Sequence, residues 1–216
     1  MKRRDFTLTT AVATATMVLP MLAQAQQGKK PEEGSEYLSL DKRIPTDVGE
    51  GKIEVIEFFW YSCPHCNAFE PRFAAWLKSA PKDVVVKRVP VRFRDEFEPQ
   101  QRAYYVFEAL GLVETLHSKL FHAIHVEHQQ LNTPAALTAW AEKNGVPAQK
   151  FVDTYNSFGV VSKARRATQI QDAFKVQGVP SFGIAGRFYT DGSLTQSMER
   201  ALQVADYLIA EVRRGR

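Results

Sequence analysis

Cys63 and Cys66 are the only two cysteines in the 216-residue chain, and Pro64 and His65 separate them. Thiols three residues apart at a helix start lie on nearly one face, close enough to meet disulfide geometry. A disulfide there closes almost no loop and would be a poor staple. The pair is better read as chemistry, the reversible exchange of a dithiol and a disulfide. Cys63 falls at the helix cap, where unpaired N–H groups and the positive end of the dipole favour a thiolate. Cys66 lies one turn in and is shielded. Cys63 is thus expected to exchange with substrate, and Cys66 to resolve the mixed disulfide. Pro64 has no N–H to give, whereas His65 can carry positive charge and donate toward the Cys63 sulfur. A stabilised thiolate means a stabilised reduced form, so the disulfide form should be a strong oxidant.

Several elements must position this motif. Ile53 to Trp60 reads as a buried strand ending at the cysteines. Glu57, amid Ile56, Phe58 and Phe59, is costly to bury, tends toward a raised pKa and suits a proton acceptor for Cys66; the alternative is a solvated edge. Pro64 opens a helix, with Phe69, Phe73, Trp76 and Leu77 as its core face. Pro71 is expected to interrupt and kink that helix, and Ala80-Pro81 to stop it. Val84 to Val86 and Val89 form a second buried strand, parallel to the first.

From about 99 to 175 helical patterns dominate, with stops at Gly111, Asn144-Gly145 and Phe158-Gly159 and a start at Thr133-Pro134. Val179 to Ile184 and Arg187 to Thr190 read as a β-hairpin turning at Ala185-Gly186. Ser197 to Arg213 is a final amphipathic helix. The expected organisation is an α/β domain over 37–98 and 176–216, interrupted by an inserted helical domain at 99–175. Residues 26–36 should be a mobile arm.

Met1-Lys2-Arg3-Arg4, the uncharged stretch Phe6 to Leu22, and Ala23-Gln24-Ala25 follow the order of a secretory signal cleaved after Ala25. Arg3-Arg4 leaves ordinary and twin-arginine export both open. Loss of that segment takes the formal charge from +4 to about +2. No basic run interleaves with aromatics, which argues against nucleic acid. A zinc site would need ligands beyond two cysteines. His117, His122, His125 and His128 are available, within about 140° of one helical face; they are read as polar-face histidines rather than metal ligands.

Glu57-Phe58-Phe59, Cys63-Pro64-His65-Cys66, Phe69-Glu70 and Gly178-Val179-Pro180-Ser181 together resemble the DsbA family of periplasmic thiol:disulfide interchange proteins. The resemblance runs from about residue 36 to the C-terminus. It implies a thioredoxin fold, a central mixed β-sheet flanked by helices, with an inserted α-helical domain. It implies Cys63 as nucleophile, Cys66 as its partner, His65 as tuner, Glu57 as buried acid, and a cis Val179-Pro180 as the substrate-contacting loop. The implied activity is donation of the disulfide to reduced exported proteins, with reoxidation by a DsbB-like quinone-linked membrane protein. No cofactor beyond the redox-active disulfide is expected. Tyr61-Ser62 and Asn67 depart from aromatic residues in the best-known member. An isomerase or reductase on the same fold is the runner-up; the DsbC type carries an N-terminal dimerisation domain, for which residues 26–51 are too few, and a monomer is expected. A metal-binding or assembly module is the alternative of another class.

Overall fold

The computed structural model describes residues 29–215; the signal segment and residues 26–28 of the expected arm lie outside them. In chain order come β1 (Leu38–Ser39), β2 (Ile53–Phe59), α1 (Pro64–Ser79) and β3 (Val84–Pro90). Five helices follow, α2 (Glu98–Ala109), α3 (Val113–His125), α4 (Pro134–Lys143), α5 (Ala148–Tyr155) and α6 (Phe158–Ala173). Then come β4 (Ser181–Ile184), β5 (Phe188–Asp191), the short α7 (Gly192–Thr195) and α8 (Met198–Arg213).

The strands form one mixed sheet in the order β1-β5-β4-β2-β3. All seven residues of β2 are buried, because it lies between parallel β3 and antiparallel β4 with helices on both faces. Ile53 and Val55 meet Phe69 and Phe73 of α1 and Leu208 of α8 in one core; Ile56 and Phe58 join the core under the inserted helices. The β4–β5 turn gives positive φ to both central residues, Ala185 (53°) and Gly186 (63°), the twist a two-residue hairpin needs. At Gly186 a Cβ would also come 2.0 Å from the Ile44 carbonyl oxygen.

Several expectations change. β3 is an edge strand and only half-buried over Val84–Arg88. α1 continues through Pro71 instead of being divided there. Proline already holds a helical φ, and buried Phe69 and Phe73 anchor the turns on either side. Phe158 starts a helix rather than stopping one: Ser157 caps α6 by accepting from Val160 N, and Phe158 itself is 87% exposed. Gly159 lies in the first turn of α6 and does not end a helix there. Residues 31–36 are not a free arm. Thr190 Oγ1 donates to Glu36 O at 2.7 Å, and the Glu36 carboxylate pairs with Arg200. β1 and α7 are too short for any periodic pattern to announce. No helix of the described residues is long and apolar enough to cross a membrane.

Candidate active site

Beyond Phe59 the chain leaves the sheet and turns, Cys63 N donating to Trp60 O at 3.0 Å. Cys63 caps α1 in extended conformation (φ −82°, ψ 116°), with Pro64 at the first helical position. The two thiols are unbonded; Cys63 is 7% exposed and Cys66 2%. Their acidities diverge. A hydrogen bond from the Cys66 thiol does most to bring Cys63 down to about 6, aided by the backbone N–H groups of Cys66 and His65 and least by the charge of His65. Burial drives Cys66 well above an ordinary thiol. At neutral pH one sulfur is an anion and its neighbour holds a proton.

His65 is exposed, so solvent screens its charge. His65→Ser keeps the backbone donor and removes only that charge. It should raise the thiolate midpoint of Cys63 by about half a pH unit, read from thiolate absorbance. A rise of two units would make the imidazole, not the Cys66 thiol with the backbone N–H groups, the main tuner.

The Val179–Pro180 peptide is cis, and Cys63 Sγ lies 3.4 Å from Val179 O, to which it can donate when protonated. Beside them a cavity of ≈ 380 Å³ is lined by His65, Val179, Pro180, Gln196 and Met198 among others. A larger one of ≈ 640 Å³, between β3 and the inserted helices, touches neither cysteine.

Glu57 is 2% exposed, which removes the solvated-edge alternative. It stands opposite Arg88 in the β2–β3 ladder and accepts from Arg88 Nη1 at 2.9 Å. The same guanidinium donates to both oxygens of Glu70, at 2.7 and 2.8 Å. Burial pushes Glu57 up to about 8 against the pull of Arg88, and the Glu70 carboxylate adds to the rise. The Glu57 charge in turn helps raise Cys66.

Arg88 and His117 were not singled out by the sequence reading as part of this node. The histidines do not share one polar face. His117 is 3% exposed, within hydrogen-bond reach of Tyr61 Oη and Arg88. His125 is half-buried and bonded to Tyr61 O, His122 sits on the surface by Glu127, and His128 lies beyond the end of α3. The signal was available: residues 117, 121 and 125 share a stripe, with Phe121 at its centre.

A model of the DSBA-like thioredoxin domain matches residues 54–203. The chain belongs to the DsbA-like thioredoxin family. It is similar to the thiol:disulfide interchange protein DsbA of Burkholderia cepacia, 38% identical over 191 residues, 88% of this chain and 90% of that one. DsbA of Bordetella parapertussis is 38% identical over 208 residues, 96% of each chain. Among solved structures, Pseudomonas aeruginosa DsbA superposes with a TM-score of 0.81 at 36% identity, covering 86% of this chain and 96% of that one. The DsbA oxidoreductase of Xylella fastidiosa gives 0.80 at 31%, covering 86% and 99%. The protein is accordingly a thiol:disulfide oxidoreductase with the DsbA fold, and its only two cysteines stand at the head of α1.

Proposed function

We propose that this DsbA-family protein is a disulfide donor to reduced exported proteins in the periplasm, after loss of a signal segment ending at Ala25. A substrate thiolate attacks Cys63 Sγ of the Cys63–Cys66 disulfide. The S–S bond breaks, a mixed disulfide forms, and Cys66 leaves with the electron pair. Buried and strongly disfavoured as an anion, Cys66 takes a proton, and Glu57, largely protonated at neutral pH, supplies it. A second substrate thiolate then attacks the substrate sulfur of the mixed disulfide. The substrate disulfide forms and Cys63 departs as a stabilised thiolate. Two electrons pass from substrate to enzyme, carried by the cysteines themselves. Run backwards, Glu57 accepts the Cys66 proton.

Val179 and Pro180 are the substrate-binding loop in this reading, with the Val179 backbone offered to an extended segment. A quinone-linked membrane oxidase resembling DsbB would restore the disulfide to the monomeric enzyme. The observation that carries the proposal is the placement of the two thiols, Cys63 capping α1 beside the cis Val179–Pro180 peptide and Cys66 buried one turn in. A low leaving-group pKa at Cys63 speeds the second step and stabilises the reduced enzyme. Mixing the oxidised protein with a reduced, unfolded two-thiol substrate should yield one substrate disulfide per enzyme. Titration against glutathione should favour reduced enzyme strongly. An enzyme that stays oxidised in dilute reduced glutathione would overturn the donor direction.

A further inference from the structure

The two residues ahead of Cys63 are both held by the inserted helices. Tyr61, wholly buried, meets α3 at two points. Its hydroxyl lies 2.8 Å from His117 Nδ1, and its carbonyl oxygen 2.7 Å from His125 Nε2. Ser62 meets α2, where Gln100 Nε2 donates to its Oγ at 2.7 Å and to Leu131 O at 2.9 Å. Phe121, between the two histidines, packs on Tyr61 with ring centroids 5.0 Å apart.

The partners differ in kind. Arg88 Nη1 lies 2.6 Å from His117 Nε2, and a guanidinium can only donate. Nη1 has two hydrogens, and the Glu57 and Glu70 carboxylates face them at 2.9 and 2.7 Å, while the Tyr61 hydroxyl can donate to or accept from His117 Nδ1. Glu70 lies 3.5 Å from His117 Nε2. His125 faces a carbonyl, which can only accept, so its Nε2 carries the hydrogen.

We propose that Gln100, His117 and His125 are positioning residues for thiol exchange, fixing the Tyr61–Ser62 turn and with it the place of Cys63 Sγ. The segment between Phe59 and Cys63 has left the sheet, so ladder hydrogen bonds no longer locate it. These side-chain bonds do so instead. The hydrogen bonds that stabilise the Cys63 thiolate weaken steeply with distance and angle, so a loosened turn should show in both acidity and reactivity. The inserted helices thereby act on the nucleophile without touching it.

The test uses the reduced mature protein and glutathione disulfide. Cys63 thiolate attacks one glutathione sulfur and expels the other as thiolate; Cys66 then displaces the second and closes the Cys63–Cys66 bond. The readouts are the rate of the first step and the pH midpoint of thiolate absorbance. Glutamine places an amide N–H near the position of imidazole Nε2, so His125→Gln keeps the donor, whereas His125→Phe keeps the ring and loses it. His125→Phe should slow attack about fivefold, the worth of one neutral hydrogen bond, and raise the midpoint. His125→Gln should return both to within about twofold of wild type. Ser62→Ala removes the Gln100 contact from a half-buried side chain and should shift both readouts the same way, even if His125→Phe fails to fold. Unchanged rate and midpoint in Ser62→Ala, or in a folded His125→Phe whose melting temperature alone falls, would overturn the proposal. So would a His125→Gln no better than His125→Phe. Because the oxidant is a small disulfide, this result is independent of whether the enzyme donates disulfides to proteins.

Discussion

Replacing Cys63 by alanine is expected to lower disulfide transfer by on the order of 10³ or more, leaving only background thiol exchange. Cys66→Ala should fail differently. Its Cys63 can still attack a substrate disulfide, but no second thiol releases the product, so a covalent mixed disulfide accumulates. The basis is position: Cys63 caps α1 and faces Val179 O, while Cys66 is buried one turn in. Cys66→Ala should carry a second signature. The Cys66 thiol is the largest single cause of the low Cys63 pKa, so the Cys63 midpoint should rise above about 6. Intact-mass analysis with a disulfide-bonded substrate reads the first effect and thiolate absorbance the second. Recovery of the mixed disulfide from Cys63→Ala instead would reverse the two roles.

The stability of the reduced protein, measured relative to the oxidised protein, should climb by about 3 kcal/mol between pH 6 and pH 9. A thiol whose folded pKa is depressed from 9.0 to about 6 stabilises the folded state fully above its unfolded value. That contribution is lost as pH falls through the folded value. At pH 7 roughly 1.4 kcal/mol of it should be present. Glu57 works in the opposite sense. Raised from 4.5 to about 8, it costs stability progressively over that interval. Glu57 is present in both redox forms, so its effect largely cancels in the difference. Above pH 9 the trend should turn over, because buried Cys66 keeps a proton that the unfolded chain releases. Urea unfolding of both forms from pH 5 to 9 gives the difference directly. A flat difference would show that the Cys63 thiolate is not stabilised by the fold.

Local features were legible because local rules set them. A proline one residue after a cysteine marks a helix start, a buried apolar run marks β2, and Ala185-Gly186 between two short apolar runs marks the hairpin. The inserted helices were legible from periodicity, except where Gly159 imitated a stop. The edge position of β3 was not, since Val84–Val86 reads alike at the edge or the centre of a sheet until its neighbours are known. The same limit hid the node around Glu57. Its burial was one of two open alternatives; its partner Arg88 comes from another strand, and Glu70, the second carboxylate on that guanidinium, from α1.

The residues themselves determined that two thiols would meet at a helix cap, with the outer one accepting from the inner and from the first backbone N–H groups; the burial that raises Cys66 came from packing. Tertiary structure decided what surrounds them. The sheet register sets Arg88 across from Glu57. Packing α3 over the end of β2 puts His117 and His125 on Tyr61, 56 and 64 residues away in sequence. Such contacts depend on how elements pack across the whole chain. No window of sequence around Tyr61 contains the helix that holds it.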